Sequence, residues 1–326
     1  MDILWINGQE VKSILLMKEV IENVERAFRY HGMGRVEMPS KIYLYFKKHN
    51  GDLRVMPTYI PDLEQAGVKI VNVHPDNKSK GFPTVMGTYV LNDPSTGAPL
   101  AVMNATYLTD MRTGAAGGIA AKYLARKDSK VLGLIGSGRQ AMTQLLATSE
   151  VMDIERVLVS SRTLEHCQNF KEIMEKKVDA DIEVCKTLEE ACKADIVATA
   201  TPVREPVIRG QWIEEGTHIN AIGADAPFKQ ELDPDILKKA KVVVDSWEQA
   251  SHSGEINVPI SKGEISRDNI HAELGEIVAG KKHGRESDEE ITVFDSTGLA
   301  IQDVATATLV YKKAIEDGVG TELRFK

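Results

Sequence analysis

Residues 130–141 read Lys-Val-Leu-Gly-Leu-Ile-Gly-Ser-Gly-Arg-Gln-Ala. An aliphatic run leads directly into Gly136-Ser137-Gly138-Arg139-Gln140-Ala141, the pattern Gly-x-Gly-x-x-Ala. Between a strand and a helix, this spacing is a dinucleotide-binding fingerprint. Gly136 permits the tight turn, Gly138 lets the backbone approach a pyrophosphate, and Ala141 lets the helix pack closely on the strand. The start of the helix then offers free N–H groups and partial positive charge to the phosphates. The competing reading is an ordinary strand-to-helix turn, and the strand before and helix after it favour the nucleotide.

Downstream of this stretch the pattern alternates. Strands are expected at 130–135, 156–161, 182–185, 195–200, 217–222, 241–245 and 291–295, with helices between several of them. That alternation is the signature of a doubly wound parallel sheet. Upstream the rhythm differs. Met17, Val20, Ile21, Val24 and Phe28 fall on one helical stripe within 15–30. Short β-rich runs follow at 41–46, 53–59, 68–74, 87–92 and 100–104, and with no helices between them they should pair antiparallel. Residues 106–126 read as an Ala-rich helix broken at Gly114, Gly117 and Gly118. From Ala300 another helix places Ile301, Val304, Ala305, Thr308 and Leu309 on one side. So apolar a helix needs a surface to cover, and it is expected to return to the first domain and close the cleft between the two.

A chain of 326 residues is long for a single core, so two domains are expected. The net charge of −8 argues against nucleic acid and anionic membranes as partners. Cys167, Cys185 and Cys192 form no Cys-x-x-Cys pair and are expected to be reduced, which fits the cytoplasm. No apolar run approaches a membrane span, and Met1-Asp2-Ile3-Leu4-Trp5 lacks the basic region of a signal peptide. The eight histidines show no zinc-ligand spacing, so no metal is expected.

Five further stretches carry a resemblance that covers essentially the whole chain. They are Gly-Asp-Leu-Arg-Val-Met-Pro (51–57), Gly-Val-Lys-Ile-Val-Asn-Val-His-Pro (67–75), Met-Arg-Thr-Gly-Ala-Ala-Gly-Gly-Ile-Ala-Ala-Lys-Tyr-Leu-Ala (111–125), Asn-Ala-Ile-Gly-Ala-Asp (220–225) and Phe-Asp-Ser-Thr-Gly-Leu-Ala-Ile-Gln-Asp (294–303). Together they resemble the ornithine cyclodeaminase/μ-crystallin family, and within it the archaeal alanine dehydrogenase branch. The resemblance implies an α/β fold: a Rossmann doubly wound parallel sheet (113–302) plus an α+β substrate-binding and dimerisation domain (1–112 with 303–326). It also implies a homodimer, which neither spacing nor composition shows.

Lys69 sits inside the apolar run Val68-Lys69-Ile70-Val71, where a lysine is costly to bury unless paired. On its own it would read as an edge-strand lysine facing water; it resembles the family's substrate-binding lysine, able to hold a carboxylate or polarise a carbonyl or imine. Arg54 is either a solvated strand arginine or a bidentate carboxylate ligand. The cyclodeaminase branch carries an acid at that place, so arginine argues against ornithine and for a short 2-oxo or 2-amino acid. The resemblance assigns Arg112 to the cofactor phosphates or the substrate carboxylate, and Lys41 to a carboxylate contact. Asp225 follows a strand end, where doubly wound sheets bind ligands, and resembles the family's proton-shuttling acid/base. Beyond Gly136, Ser137, Gly138, Arg139 and Gln140, the cofactor set implied is Ser161, Arg162, Thr163, Thr201, Ile222, Gly223, Ala224, Lys229 and Gly298. An acid at the end of the second nucleotide-fold strand would mark NAD. Ser160-Ser161-Arg162-Thr163 has none and suits a 2′-phosphate, which points to NADP or dual use. His218 and Trp212 read as packing residues.

The activity implied is that of an NAD(P)-dependent amino-acid dehydrogenase joining pyruvate and ammonia to L-alanine. The alternatives are a cyclic ketimine (pyrroline-2-carboxylate) reductase, an ornithine cyclodeaminase, and, outside catalysis, a crystallin-like ligand binder with a nucleotide co-ligand.

Overall fold

The structure is a computed structural model that describes residues 1–326, the side chain of Lys78 excepted. Its strands in chain order are β1 (Asp2–Ile6), β2 (Ile42–Phe46), β3 (Gly51–Ile60), β4 (Gln65–Val73), β5 (Val85–Asn92), β6 (Pro99–Asn104), β7 (Val131–Ile135), β8 (Arg156–Ser160), β9 (Asp181–Val184), β10 (Ile196–Thr199), β11 (His218–Ala221), β12 (Lys241–Val244), β13 (Ile270–Glu273), β14 (Thr292–Asp295) and β15 (Thr321–Arg324). The chain divides into two compact units, Met1–Arg112 with Leu299–Lys326, and Thr113–Gly298.

In the first unit a sheet runs in the order β15-β1-β6-β5-β4-β3-β2. Strands β2 to β6 pair antiparallel, whereas β1 lies parallel to β6. Arg54, Met56, Thr58 and Ile60 alternate on the buried face of β3. The helix Ala300–Asp317 covers that face, packing on β3, β4 and β5 and on the helix Met17–Gly32. Met17, Val20, Ile21, Val24 and Phe28 are all buried along the latter. Ile301, Val304 and Val310 are fully buried on the covering helix. At about 1.5–3 kcal/mol for each aliphatic side chain removed from water, they help offset the polar groups the same helix brings inside.

In the second unit the sheet order is β13-β12-β14-β11-β10-β7-β8-β9, with every neighbouring pair parallel. Counted from β7, its first five strands lie in the order 3-2-1-4-5, and the winding direction reverses between β7 and β10. Alternate strand residues serve the two faces. Leu132, Leu134, Val157, Val159, Ile196 and Ala198 face one core with Ala141, Leu145 and Phe170. Ile135, Leu158, Val197 and Ile219 face the other. A parallel sheet covered on both sides needs such continuous apolar runs.

The helix Thr106–Leu124 is unbroken, contrary to the expectation of breaks at its glycines. Those glycines mark close packing. A Cβ on Gly114 would fall 2.5 Å from the Thr143 carbonyl oxygen, and one on Gly118 would fall 2.9 Å from that of Ala147, both on the helix Arg139–Val151. The lost helix propensity, about 1 kcal/mol per glycine, is accepted for the approach of the two backbones. No helix among the described residues is long and apolar enough to cross a membrane.

Candidate active site

The antiparallel register puts Met56, Lys69, Tyr89 and Met103 in one row across β3, β4, β5 and β6. All four are buried, Lys69 with 1% exposure. The water-facing alternative for Lys69 is therefore excluded: β4 is an inner strand and the side chain points under the helix Ala300–Asp317. There Lys69 Nζ donates to Asp303 Oδ1 at 2.7 Å. Arg112 Nε donates to the same oxygen at 2.9 Å, and Arg112 Nη1 to Gln302 Oε1 at 2.9 Å. Asp303 is fully buried and its Oδ2 has no hydrogen-bond partner. Two cations thus converge on one oxygen.

Burial pulls the Lys69 ammonium down to about 7, Arg112 and Lys41 repel it further, and Asp303 opposes them. Tyr89 shares the site: burial, then the Asp303 charge, holds its phenol well above the ordinary range. Its hydroxyl occupies the space a Cβ on Gly67 would take, 2.7 Å away. Arg54 lies on the same face of β3 but turns its fork to Asp52, with Nε–Oδ1 at 3.0 Å and Nη2–Oδ2 at 3.2 Å. Its guanidinium sits 5.4 Å from the Tyr43 ring centroid. Lys69 and Arg112 thereby meet on the buried Asp303 carboxylate, Lys41 acts on Lys69 as a further positive charge, and Arg54 is held by the partly buried Asp52.

In the second unit the glycine turn lies at the C-terminal end of β7, at the reversal point of the sheet, where doubly wound folds bind ligands. Gly136 has φ +114°, and a Cβ there would approach the Ala200 carbonyl oxygen to 2.9 Å. Gly138 is the N-cap of the helix Arg139–Val151 and carries no side-chain cap, with nothing within 4 Å of where its Cβ would be. The first N–H groups of this helix are therefore presented beside open space, as a pyrophosphate requires. Ser137 Oγ and Ser161 Oγ are 3.0 Å apart, and Ser161 also donates to the Thr163 carbonyl. Arg139 and Arg162 are exposed and Gln140 half-buried.

The ends of β10 and β11 are tied by Glu231, which accepts from Thr199 Oγ1, Thr201 N, Thr201 Oγ1 and Gly223 N at 2.6–2.8 Å. Ile222 and Ala224 are buried beside Gly223. Asp225 is partly exposed and pairs with Lys229 at 2.5 Å. Gly298 N donates to Asp245 Oδ2 at 2.7 Å after β14. His218 is fully buried between Thr292 and Asn220, and burial pulls its imidazole down to about 3, which fits a neutral packing residue. Trp212 packs against the apolar core. Among the described residues no group of three or more His, Cys, Asp or Glu side chains is arranged to hold a metal ion.

Gln302, Asp303, Tyr89 and Glu231 were missed by reasoning from the sequence. Gln302 and Asp303 had a signal, two polar residues within an apolar helical stripe. Glu231 had none, since its partners lie on separate strands.

The parallel sheet with its glycine turn and the buried cation cluster define a two-unit α/β protein of the dinucleotide-binding kind. The family model for the ornithine cyclodeaminase/mu-crystallin family matches residues 4–318, and the chain belongs to that family. It is 53% identical over 326 residues to an alanine dehydrogenase of Archaeoglobus fulgidus, covering all of this chain and 99% of that one. Among solved structures it is similar to an archaeal alanine dehydrogenase dimer with bound NAD (53% identity, TM-score 0.96, both chains fully covered). It is also similar to a Thermococcus litoralis Delta(1)-pyrroline-2-carboxylate reductase in complex with NADH and L-proline (48% identity, TM-score 0.96, 98% of this chain and all of that one).

Proposed function

We propose that this protein is an NAD(P)-dependent L-alanine dehydrogenase, interconverting pyruvate plus ammonia with L-alanine. The observation that carries the reading is the buried Lys69–Asp303–Arg112 cluster, in a chain 53% identical end to end to an alanine dehydrogenase. Arg54 and Lys69 take the substrate carboxylate, with Arg112 and Lys41 adding positive charge. Arg54 serves in charge-assisted hydrogen bonds, the strong kind. Ammonia adds to the carbonyl carbon and water leaves to give the imine. Asp225, oriented by Lys229, moves the protons of those steps.

The uncapped helix start and the open space at Gly138 fit a dinucleotide pyrophosphate, held by Gly136, Ser137, Gly138, Arg139 and Gln140. Arg112 also lends charge to the phosphates. Ser161, Arg162 and Thr163 would meet the adenosine ribose, and Thr201, Ile222, Gly223, Ala224, Lys229 and Gly298 the remainder. When bound, the cofactor supplies the two-electron chemistry at the substrate carbon, while the protein supplies binding and orientation. The absence of an acid at Ser161-Arg162 supports use of NADP(H) as well as NAD(H).

The homodimer is proposed through the open face of the first sheet, where Trp5, Ile42, Leu44, Met86 and Leu323 are exposed; large apolar side chains left on one sheet face support an interface there. The three buried free cysteines support a reducing, cytoplasmic setting.

The likeness to the Thermococcus litoralis protein favours reduction of pyrroline-2-carboxylate as a second reading, since that substrate also presents a carboxylate beside a C=N carbon. Oxidation of NADH or NADPH with pyruvate, with and without ammonium, and with pyrroline-2-carboxylate distinguishes the two. The Asp225→Asn variant should lose turnover by about 10²–10⁴-fold, the usual worth of a general acid/base; unchanged turnover would remove that assignment.

A further inference from the structure

Asp303 is fully buried, lies in the first turn of the helix Ala300–Asp317, and receives both Lys69 and Arg112 on a single oxygen. Its neighbour Gln302 fixes the other end of Arg112 and also accepts from Leu299 N at 3.2 Å. A carboxylate in that position has the same sign as the substrate carboxylate the cluster is proposed to bind. On charge alone it opposes binding, so its presence needs a reason.

We propose that Asp303 is a positioning residue: it keeps Lys69 charged and aimed, together with Arg112, so that the pair meets a small monocarboxylate. The inference rests on the alanine dehydrogenase reading. Lys69 is surrounded by Arg112 and Lys41, which disfavour its charge, by Asp303, which favours it, and by the Tyr89 phenol across the β4–β5 pair. Without Asp303, burial and two neighbouring cations act on the amine unopposed, and it would lose its proton at a lower pH. A neutral amine cannot take part in a charge-assisted bond to a carboxylate. Oδ2, buried without a partner, is the cost of directing both cations to Oδ1.

The test is the dissociation constant of pyruvate for the NADH-loaded protein, followed from about pH 5.5 to 9. In the wild type, affinity should fall as the pH rises through the Lys69 titration. In Asp303→Asn, which keeps an oxygen acceptor for Arg112 but no charge, the fall should move down by about 1–3 pH units, the usual effect of one close opposite charge. Asp303→Glu should restore it.

The Lys69→Met background gives a second comparison, available even if the single Asp303→Asn variant does not fold, because the pair loses one charge of each sign. There Asp303→Asn should leave pyruvate affinity unchanged or improve it, since the carboxylate then has no lysine to serve. A merely structural Asp303 predicts weaker binding in both backgrounds and no movement of the pH dependence; either result overturns the proposal. A wild type that neither binds pyruvate nor consumes NADH with it and ammonium overturns the parent reading, and this proposal with it. Normal wild-type turnover with an unmoved pH profile in Asp303→Asn overturns the proposal alone.

Discussion

Lys69 shows how one residue's meaning depends on its register. An isolated lysine in an apolar run is ambiguous between water and a buried partner. The pairing of Lys69 with Met56 and Tyr89 puts it on the covered face, and the partner is 234 positions away in the chain. No local pattern encodes that distance: the sequence marks Asp303 as a polar residue in an apolar helical stripe, but not as the partner of Lys69 and Arg112. The depressed ammonium has a direct consequence. The charged form prevails below about 7 and is lost above it, so pyruvate affinity should decline through neutrality. Lys69→Arg, which keeps its charge at every accessible pH, should abolish that decline, whatever it does to affinity itself. A decline that persists in Lys69→Arg would assign the titration to another group.

The elements were easiest to read where one period dominates. The alternation of strands and helices after residue 130 is visible because each buried parallel strand is apolar on both faces. The short antiparallel strands are marked by turn residues such as Asn92-Asp93-Pro94. Three strands were missed. β15 is exposed throughout and pairs only with β1, so neither carries a strong alternating pattern; β13 is four residues long. The glycines of the helix Thr106–Leu124 were misread as breaks because composition shows where a side chain is absent but not what fills its place. Gly114→Ala tests the packing explanation. Helix propensity alone predicts a gain of about 1 kcal/mol. A Cβ 2.5 Å from a backbone oxygen instead predicts a loss of about 1–3 kcal/mol, the usual cost of overpacking, seen as a lower midpoint of thermal unfolding. A higher midpoint would contradict it.

At the scale of the whole molecule, the fold class was legible, because the fingerprint, the alternation and the family motifs agree with one another. The assembly is less directly encoded. Trp5, Ile42, Leu44 and Leu323 come from three strands far apart in sequence and form one exposed face only after the sheet is built. Ile42→Lys with Leu44→Glu should convert the proposed dimer to monomer in sedimentation equilibrium while leaving the secondary structure intact. An unchanged dimer would place the interface elsewhere.

The reaction itself can be followed by nicotinamide absorbance with pyruvate and ammonium. Cofactor oxidation should require both compounds together. Oxidation with pyrroline-2-carboxylate but none with pyruvate plus ammonium would contradict it and make the protein a cyclic-imine reductase.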